Sequence, residues 1–562
     1  MTAKEVLNKY YGYDAFRPLQ EEIINSILAG HDTLAILPTG GGKSICFQVP
    51  TLVMDALCMV ITPLIALMKD QVENLKRRDI RAVAIYTGMS REQQQVALDN
   101  CLYGPYRFLY VSPERLTSED FRKRIAQLPI CLIAVDEAHC ISQWGHDFRP
   151  SYTQIAEIRS LLPKQVPVLA LTATATPEVA EDIKYHLSNN EKGSWNTYRQ
   201  SIHRNNLNYV VRYCRDDKEK QEQLLHIIKS VQGTAIVYVR NRKRTEELAQ
   251  LLKDNGMSVG PYHAGMEPND RARYQDLWQK GEIRIMVCTN AFGMGIDKPD
   301  VRLVLHFNLP SSIESYFQEA GRAGRDGQTA YCVALYANDD RAKMLKRITN
   351  NYPPEDFVVK VYHNTCDFLQ IGEGSGLGHT FALHMDELCH VMHLPVLQTY
   401  SALHLLSQAG WIDFQDEQET QPRVRINAPR EALYEFNLNK PQEQFLQFLM
   451  RQYTGIFTDL QYIRDVDDNI HEILVSLAQR KIVTYLPRTI ACAITMTQER
   501  QAEVYLPKHV WAERREHYIA RLHAMIEYVE QTQFCREQVL AGYFGETDAQ
   551  PCGKCDICRQ RK

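Results

Sequence analysis

DTLAILPTGGGKSICFQVPTLV, Asp32 to Val53, joins a short apolar run, a glycine-rich turn ending in Lys43 and Ser44, and a stretch able to open a helix. A strand, a glycine loop and a helix N-terminus in this order form the setting in which backbone N–H groups converge on phosphate oxygens. The strict phosphate-loop pattern asks for glycine where this chain has Leu37, so the motif fails by one residue. The part that does the chemistry survives. Gly40, Gly41 and Gly42 let the backbone turn, Lys43 supplies a point charge and Ser44 a magnesium ligand. Three glycines before a lysine read equally well as a plain turn, so the decision falls to the rest of the chain.

Around this stretch, from Val6 to Asn190, the apolar runs TLAIL, ALCMVIT, RFLYVS, CLIAVD and PVLALT alternate with helix-length amphipathic segments. Such alternation predicts a parallel sheet with helices on both faces. A second set begins near Asn208, with GTAIVYV, IRIMVCT and VRLVLHF, so two α/β lobes in tandem are expected. Polar SNNEKGSWN, Ser188 to Asn196, is the expected linker. Beyond Ala337 the pattern turns helical: MDELCHVMHLPVLQTYSALHLLSQAGWIDF reads as helix, turn, helix and a strand after Gly410, and FTDLQYIRDVDDNIHEILVSLAQRKIVTYL repeats the arrangement. Both read as winged-helix-like units or, at this level, as small helical cores. The expected division is a first lobe at 1–195, a second at 196–345, winged-helix-like regions at 346–440 and 441–525, and a metal module at 526–562.

At 562 residues the chain exceeds one core's usual reach, since ~150 residues per domain suggests three or four units. A net charge of -4 announces no nucleic-acid partner, yet leaves room for a local basic groove. Fifteen cysteines without disulfide-scaffold spacing fit reduced thiols and a metal site, and the cytoplasm is the expected compartment. The longest apolar stretch, TLVMDALCMVITPLIALM, is broken by Asp55 and Pro63, so no membrane span is expected.

AVDEAHCISQWGHDFRP, Ala134 to Pro150, places Asp136 and Glu137 at a strand tip, where α/β sheets bind ligands. Asp136 can hold magnesium, and Glu137 can orient or deprotonate a water attacking a γ-phosphate. Alone an acidic pair is a solvated turn; joined to Lys43 and Ser44 in one sheet it becomes a hydrolytic site. Arg322 and Arg325 lie three apart in GRAGR, on one face of a helix or turn, and in a second lobe they read as charge stabilisers reaching across the cleft. Trp144 and Phe148 sit in a polar loop behind the carboxylates; an aromatic there can stack on a base, worth ~1–3 kcal/mol.

DEAH at Asp136–His139, TAT at Thr172–Thr174 and QEAGRAGRDG at Gln318–Gly327 resemble helicase superfamily two motifs, and with SQWGHDFRP the set resembles the RecQ DNA helicases over Tyr10 to Tyr336. That resemblance implies two RecA-like lobes and an ATP- and Mg2+-dependent enzyme that unwinds DNA, single-stranded or tailed duplex, 3′ to 5′ in recombination and repair. In GYDAFRPLQ it implies that Tyr13 stacks on adenine while Arg17 and Gln20 read its edge and a nearby phosphate. It adds Thr39 to the nucleotide-binding set of Gly40, Gly41, Gly42, Lys43 and Ser44, and His139 and Gln318 to the catalytic set of Lys43, Ser44, Asp136, Glu137, Arg322 and Arg325. Trp144, Asp147, Phe148 and Arg149 are implied to couple DNA to the ATP site. TPLIALMKDQ and SPER resemble backbone-contacting motifs, and AFGMGIDKPD resembles the motif linking nucleotide state to DNA grip.

Cys552, Cys555 and Cys558 recur at two-residue intervals with Cys535 upstream, giving four thiolates for one structural zinc. YFGE and PCGKCDIC resemble the RecQ zinc module. Two departures stand out. In the familiar bacterial arrangement the zinc module follows the second lobe directly, with a winged helix after it; here the stretch from Ala337 to Cys535 intervenes. The family's small helical C-terminal DNA-binding domain is not expected after the cysteines. Rival readings are an RNA-remodelling ATPase on the same lobes and a DNA-binding regulator with vestigial lobes.

Overall fold

The computed structural model describes residues 1–562 apart from 87, 143–144, 146–148, 163–164, 189–192, 294–295, 297, 421, 430–432, 434–435, 437, 454, 458–460, 464–467, 487–488 and 562. It divides into two compact units, one built from Met1–Leu345 with His517–Lys562, the other from Lys346–Glu516.

Two parallel sheets organise the first unit. The first contains β1 (Asp32–Ile36), β2 (Leu57–Ile61), β3 (Ala82–Ile85), β4 (Phe108–Val111), β5 (Ile130–Val135), β6 (Val168–Thr172) and β7 (Trp195–Arg199), in the order β3-β4-β2-β5-β6-β1-β7. Its central strands are unbroken apolar runs because helices cover both faces, and two separate clusters of buried residues, one on each side, record that. Asp32 anchors the start of β1: both its carboxylate oxygens accept from Arg159, at 2.7 and 2.9 Å, and one accepts from the Val168 amide of β6. The strand order sets the carboxyl ends of β1, β6 and β5 side by side. These are the ends that carry the glycine loop, Thr172–Thr174 and Asp136.

The second sheet contains β8 (Leu207–Cys214), β9 (Thr234–Tyr238), β10 (Val259–Tyr262), β11 (Ile285–Cys288), β12 (Val301–His306) and β13 (Ala330–Ala337), ordered β10-β11-β9-β12-β13-β8. Two RecA-like lobes are thus present. Trp195 and Asn196, expected in a linker, instead pair with Asp32 and Thr33 as the edge strand β7, and the passage between lobes follows Arg199. An edge strand with only half-buried side chains has no apolar run for periodicity to detect.

The segment returning at His517 completes this unit. The helix Ala512–Glu530 leads to Cys535 and the helix Arg536–Tyr543. This stretch packs on both lobes. Arg199 donates to the carbonyls of Ala175 (2.9 Å) and Phe544 (2.8 Å), Glu546 accepts from Ser201 Oγ and the Ile202 amide, and Tyr336 Oη lies 2.5 Å from Glu530 Oε1. Tyr316 and Phe317 stack against Tyr528 and Phe544 at 5.3 and 5.1 Å between ring centres. The cysteine module therefore reaches the lobes despite its distance along the chain.

In the second unit the helices Met385–Val391 and Val396–Gln408, the turn at Gly410 and a following strand appear where the sequence pattern puts them. The expected tandem division does not hold, however. β14 (Thr380–Leu383), β15 (Ile412–Thr420) and β19 (Thr489–Met496) form one antiparallel sheet, and β19 follows the second helical region in the chain. That region has its own sheet of β16 (Arg423–Ile426), β17 (Gln461–Tyr462) and β18 (Val483–Leu486), and its own core around Leu446, Leu449, Leu474 and Leu477. It is nested inside the first, and only the long-range pairing of β19 reveals it. No helix among the described residues is long and apolar enough to cross a membrane.

Candidate active site and metal centre

The glycine loop follows β1 directly. Gly40 and Gly42 take φ of +81° and +79°, left-handed values that a side chain resists. Ser44 stands at the start of the helix Ile45–Met54 with its hydroxyl uncommitted to capping, so Oγ is free to ligate a cation. The segment before β1 grips the loop from outside. Gln20, only 3% exposed, donates Nε2 to the carbonyls of Gly42 (3.1 Å) and Gly41 (3.4 Å), and Arg17 donates to the Gly40 carbonyl. Tyr13 stands exposed, as a ring that stacks on a base must.

Asp136 and Glu137 extend β5, with the Asp136 amide bonded to the Ile61 carbonyl at 2.9 Å. Glu137 has a φ of +47°, rare for a residue with a side chain and of the kind that collects at functional sites. Its Oε1 lies 3.9 Å from Lys43 Nζ, joining the glycine loop to the acidic pair. Its Oε2 is buried and makes no hydrogen bond among the described residues, although His139 Nδ1 lies 3.3 Å away and bonds Thr172 Oγ1 at 3.0 Å. An acceptor without a donor suits a site that takes up a water. Burial first and the neighbouring Glu137 second push the Asp136 carboxyl up from 3.8 to about 6, while Lys43 draws it down. A cation would relieve that strain, and Ser44 and Asp136 supply the hard oxygen ligands Mg2+ prefers.

The second lobe closes on this arrangement. Gln318 Nε2 donates to Thr174 Oγ1 at 3.1 Å, and Thr39 Oγ1 donates to the Gly321 carbonyl at 3.1 Å. Gly321 ends the helix Ile313–Ala320, and a Cβ there would sit 2.2 Å from Thr39 Oγ1. Only glycine permits that approach. The Arg325 stem lies against the glycine loop, its Cγ 3.5 Å from where a Gly40 Cβ would be, and its Nη1 donates to the Ile296 carbonyl at 2.9 Å. Arg322 differs: it is buried within the second lobe, with Nη2 3.1 Å from a Gly293 Cβ position and with Nε making no hydrogen bond among the described residues. The two arginines, expected to act alike, occupy different places.

Arg149 is anchored, its amide to the Cys140 carbonyl at 2.8 Å and Nη1 to the Pro63 carbonyl at 3.4 Å. Trp144, Asp147 and Phe148, singled out with it, lie outside the described residues. Sequence reasoning passed over Arg521, whose Nη1 donates to the Gly145 carbonyl at 2.6 Å across 376 positions of chain. No local signal marks such a contact.

The sulfurs of Cys535, Cys552, Cys555 and Cys558 all lie within 4.8 Å of one another, with 3.9 Å between Cys535 and Cys555. Tetrahedral zinc with Zn–S bonds of about 2.3 Å needs sulfurs about 3.8 Å apart, so the set fits. The amides of Cys552, Cys555 and Cys558 point at the sulfurs of Cys535, Cys552 and Cys555, and the neighbouring thiols hold Cys535 well below its usual range. All four ligand positions are filled by protein, which makes the centre structural.

Comparison with known proteins agrees with this construction. The DEAD/DEAH box helicase model matches residues 17–183 and the helicase conserved C-terminal domain model residues 219–327. The RecQ zinc-binding model matches residues 495–559, and the RecQ helicase winged-helix domain model of Bacteroidota residues 424–487. The ATP-dependent DNA helicase RecQ of Haemophilus influenzae is 44% identical over 61% of this chain and 55% of its own length. That of Synechocystis is 40% identical over 59% of this chain and 70% of its own. The chain thus spans little more than half of the first relative. The DEAD-box helicase Mss116 bound to ssRNA and UDP-BeF superposes with a TM-score of 0.51 at 19% identity, covering 62% of this chain and 76% of that one, which shows a shared fold. With two lobes, a closed four-cysteine centre and relatives of this identity and coverage, the chain belongs to the RecQ family.

Proposed function

We propose that this protein is an ATP-dependent DNA helicase that separates duplex DNA 3′ to 5′, acting in recombination and repair. The observation that carries the reading is the joining of Lys43 to Glu137 across β1 and β5 while Arg325 lies against the same glycine loop from the other lobe. Hydrolysis then depends on how the lobes meet, and lobes that open and close along a strand make a motor.

In this reading Gly40, Gly41 and Gly42 present backbone amides to the phosphates, Lys43 neutralises their charge, and Thr39 links the loop to the second lobe. Tyr13 stacks on the base, with Arg17 and Gln20 supporting the loop. Ser44 and Asp136 would hold Mg2+, which when bound would neutralise charge on the phosphates. Glu137 orients the attacking water and takes its proton, its free Oε2 serving as acceptor, and His139 relays its state to Thr172 and, through Gln318 and Thr174, to the second lobe. Arg325 stabilises the transition state, and Arg322 joins it as the lobes close; such a finger contributes on the order of 10³ to 10⁵ in rate. Trp144, Asp147, Phe148 and Arg149 couple a bound strand to this site. DNA is favoured over RNA as the partner because the curated relatives named above are DNA helicases.

Strand displacement of 3′- and 5′-tailed duplexes, with and without ATP and Mg2+, tests the proposal. The expected result is ATP-dependent displacement of the 3′-tailed substrate, lost in Lys43→Ala. ATP turnover stimulated by single-stranded RNA and not by DNA, or no turnover at all, would remove it.

A further inference from the structure

The helix Ala512–Glu530 carries a contact that the family reading does not use. Arg521 Nη1 donates to the buried Gly145 carbonyl at 2.6 Å. Gly145 in turn donates its amide to the Ser142 carbonyl at 3.0 Å, and Ser142 donates to the His139 carbonyl at 3.3 Å. His139 is the residue 3.3 Å from Glu137 Oε2. A guanidinium from the helix that leads to the cysteines is therefore three hydrogen bonds away from the histidine beside the proposed water-activating carboxylate.

The other face of this contact leads to the second lobe. Tyr543, at the end of the helix Arg536–Tyr543, donates its hydroxyl to Glu314 Oε1 at 2.8 Å. Glu314 is 3% exposed and sits in the first turn of Ile313–Ala320, the helix that carries Gln318 and ends at Gly321 against Thr39. The stretch that carries Arg521 and Tyr543 thus meets both the segment behind the acidic pair and the helix that closes the nucleotide cleft.

We propose that Arg521 is a positioning residue for DNA-stimulated ATP hydrolysis: by holding the Gly145 carbonyl from the same stretch whose Tyr543 bonds Glu314, it registers the segment behind Glu137 against the second lobe. The inference rests on the functional reading above. A guanidinium is suited to the task because its charge strengthens a bond to a carbonyl and its fork keeps further donors for neighbours. An arginine serving only to pack would affect stability and all turnover alike, whereas a positioning residue affects the step that DNA accelerates.

The test measures ATP turnover of the full chain against oligothymidine concentration for wild type, R521K, R521A and Y543F, with melting temperatures alongside. In R521A, DNA-free turnover and the KM for ATP should stay within twofold, while DNA-saturated kcat falls at least fivefold. R521K should recover part of that loss, and Y543F should lower the same kcat without adding its full effect to R521A. Wild-type stimulation accompanied by unchanged stimulation in R521A overturns the inference and leaves the helicase reading intact. Equal loss of DNA-free and DNA-stimulated turnover in R521A and R521K, with lowered melting temperatures, overturns it as well by showing a packing role. Absence of DNA stimulation in the wild type removes the functional reading itself, and the inference with it.

Discussion

Gly42→Ala is the sharpest probe of the nucleotide loop because two separable costs meet at that position. A φ of +79° is left-handed, and a residue with a Cβ pays ~1–2 kcal/mol to hold it. The new methyl would also sit 2.4 Å from Gln20 Nε2, so the amide must swing away. Gln20 has little room to do so without losing its bonds to the Gly41 and Gly42 carbonyls, each worth ~0.5–1.5 kcal/mol net. Bound nucleotide must restore the loop, so affinity should fall by about 2–5 kcal/mol, roughly 30- to 4,000-fold. Gly40→Ala is the control: its φ is +81°, but its Cβ would meet Arg325 Cγ at 3.5 Å, an ordinary contact. Strain alone then applies, and the loss should be roughly 5- to 30-fold. Equilibrium titration with a fluorescent ATP analogue reads both, with thermal melting to confirm folding. Gly42→Ala binding within threefold of wild type, or binding more tightly than Gly40→Ala, would refute the claim that Gln20 shapes the loop.

Three further outcomes are expected. Because the Asp136 carboxyl stands at about 6 and not 3.8, the folded chain holds a proton there that the unfolded chain releases, so its contribution to stability is present below the lower value and lost as pH rises through the higher. Mg2+ must displace that proton: half-saturating Mg2+ for ATP turnover should climb about tenfold per pH unit below 6, and a flat profile from pH 7 to 5 would contradict the assignment. Chelation or Cys552→Ser should release one zinc per chain, read with a colorimetric indicator, and lower the calorimetric transition of the lobes, since metal in such a module supplies ~10–16 kcal/mol of apparent binding energy and the module packs on both. Arg199→Ala deletes charged bonds to the Ala175 and Phe544 carbonyls and should cost about 1.5–3 kcal/mol in denaturant unfolding, against no change if that junction is unimportant.

What the sequence showed and what it hid divide along contact range. The glycine loop was legible because strand, turn and helix lie within about twenty positions, and Lys43 with Glu137 because both follow apolar runs of one parallel sheet, β1 and β5, which flank β6. Gln20, given a role by the resemblance alone, proves to be a buried support for two loop carbonyls. The bonds that join the lobes, Thr39 to Gly321 and Gln318 to Thr174, span 282 and 144 positions, and no periodicity encodes them. Arg322 and Arg325 share a helical face on paper, yet the turn after Ala320 sends one inward and the other to the glycine loop. β7 stayed hidden because a half-buried edge needs no apolar side chains, and β19 because its partners lie before the nested region.

The interrupted first unit has a consequence for how the molecule is made. Ribosomes add ~5–20 residues per second, so the Lys346–Glu516 interval takes on the order of ten to thirty seconds to synthesise. Through that time the nascent lobes lack their final partner, and the sides of Tyr316 and Phe317 that end up against Tyr528 and Phe544 stay uncovered by it. An oily patch left waiting on a half-made chain invites chaperone capture, and its burial comes only when the last thiols emerge.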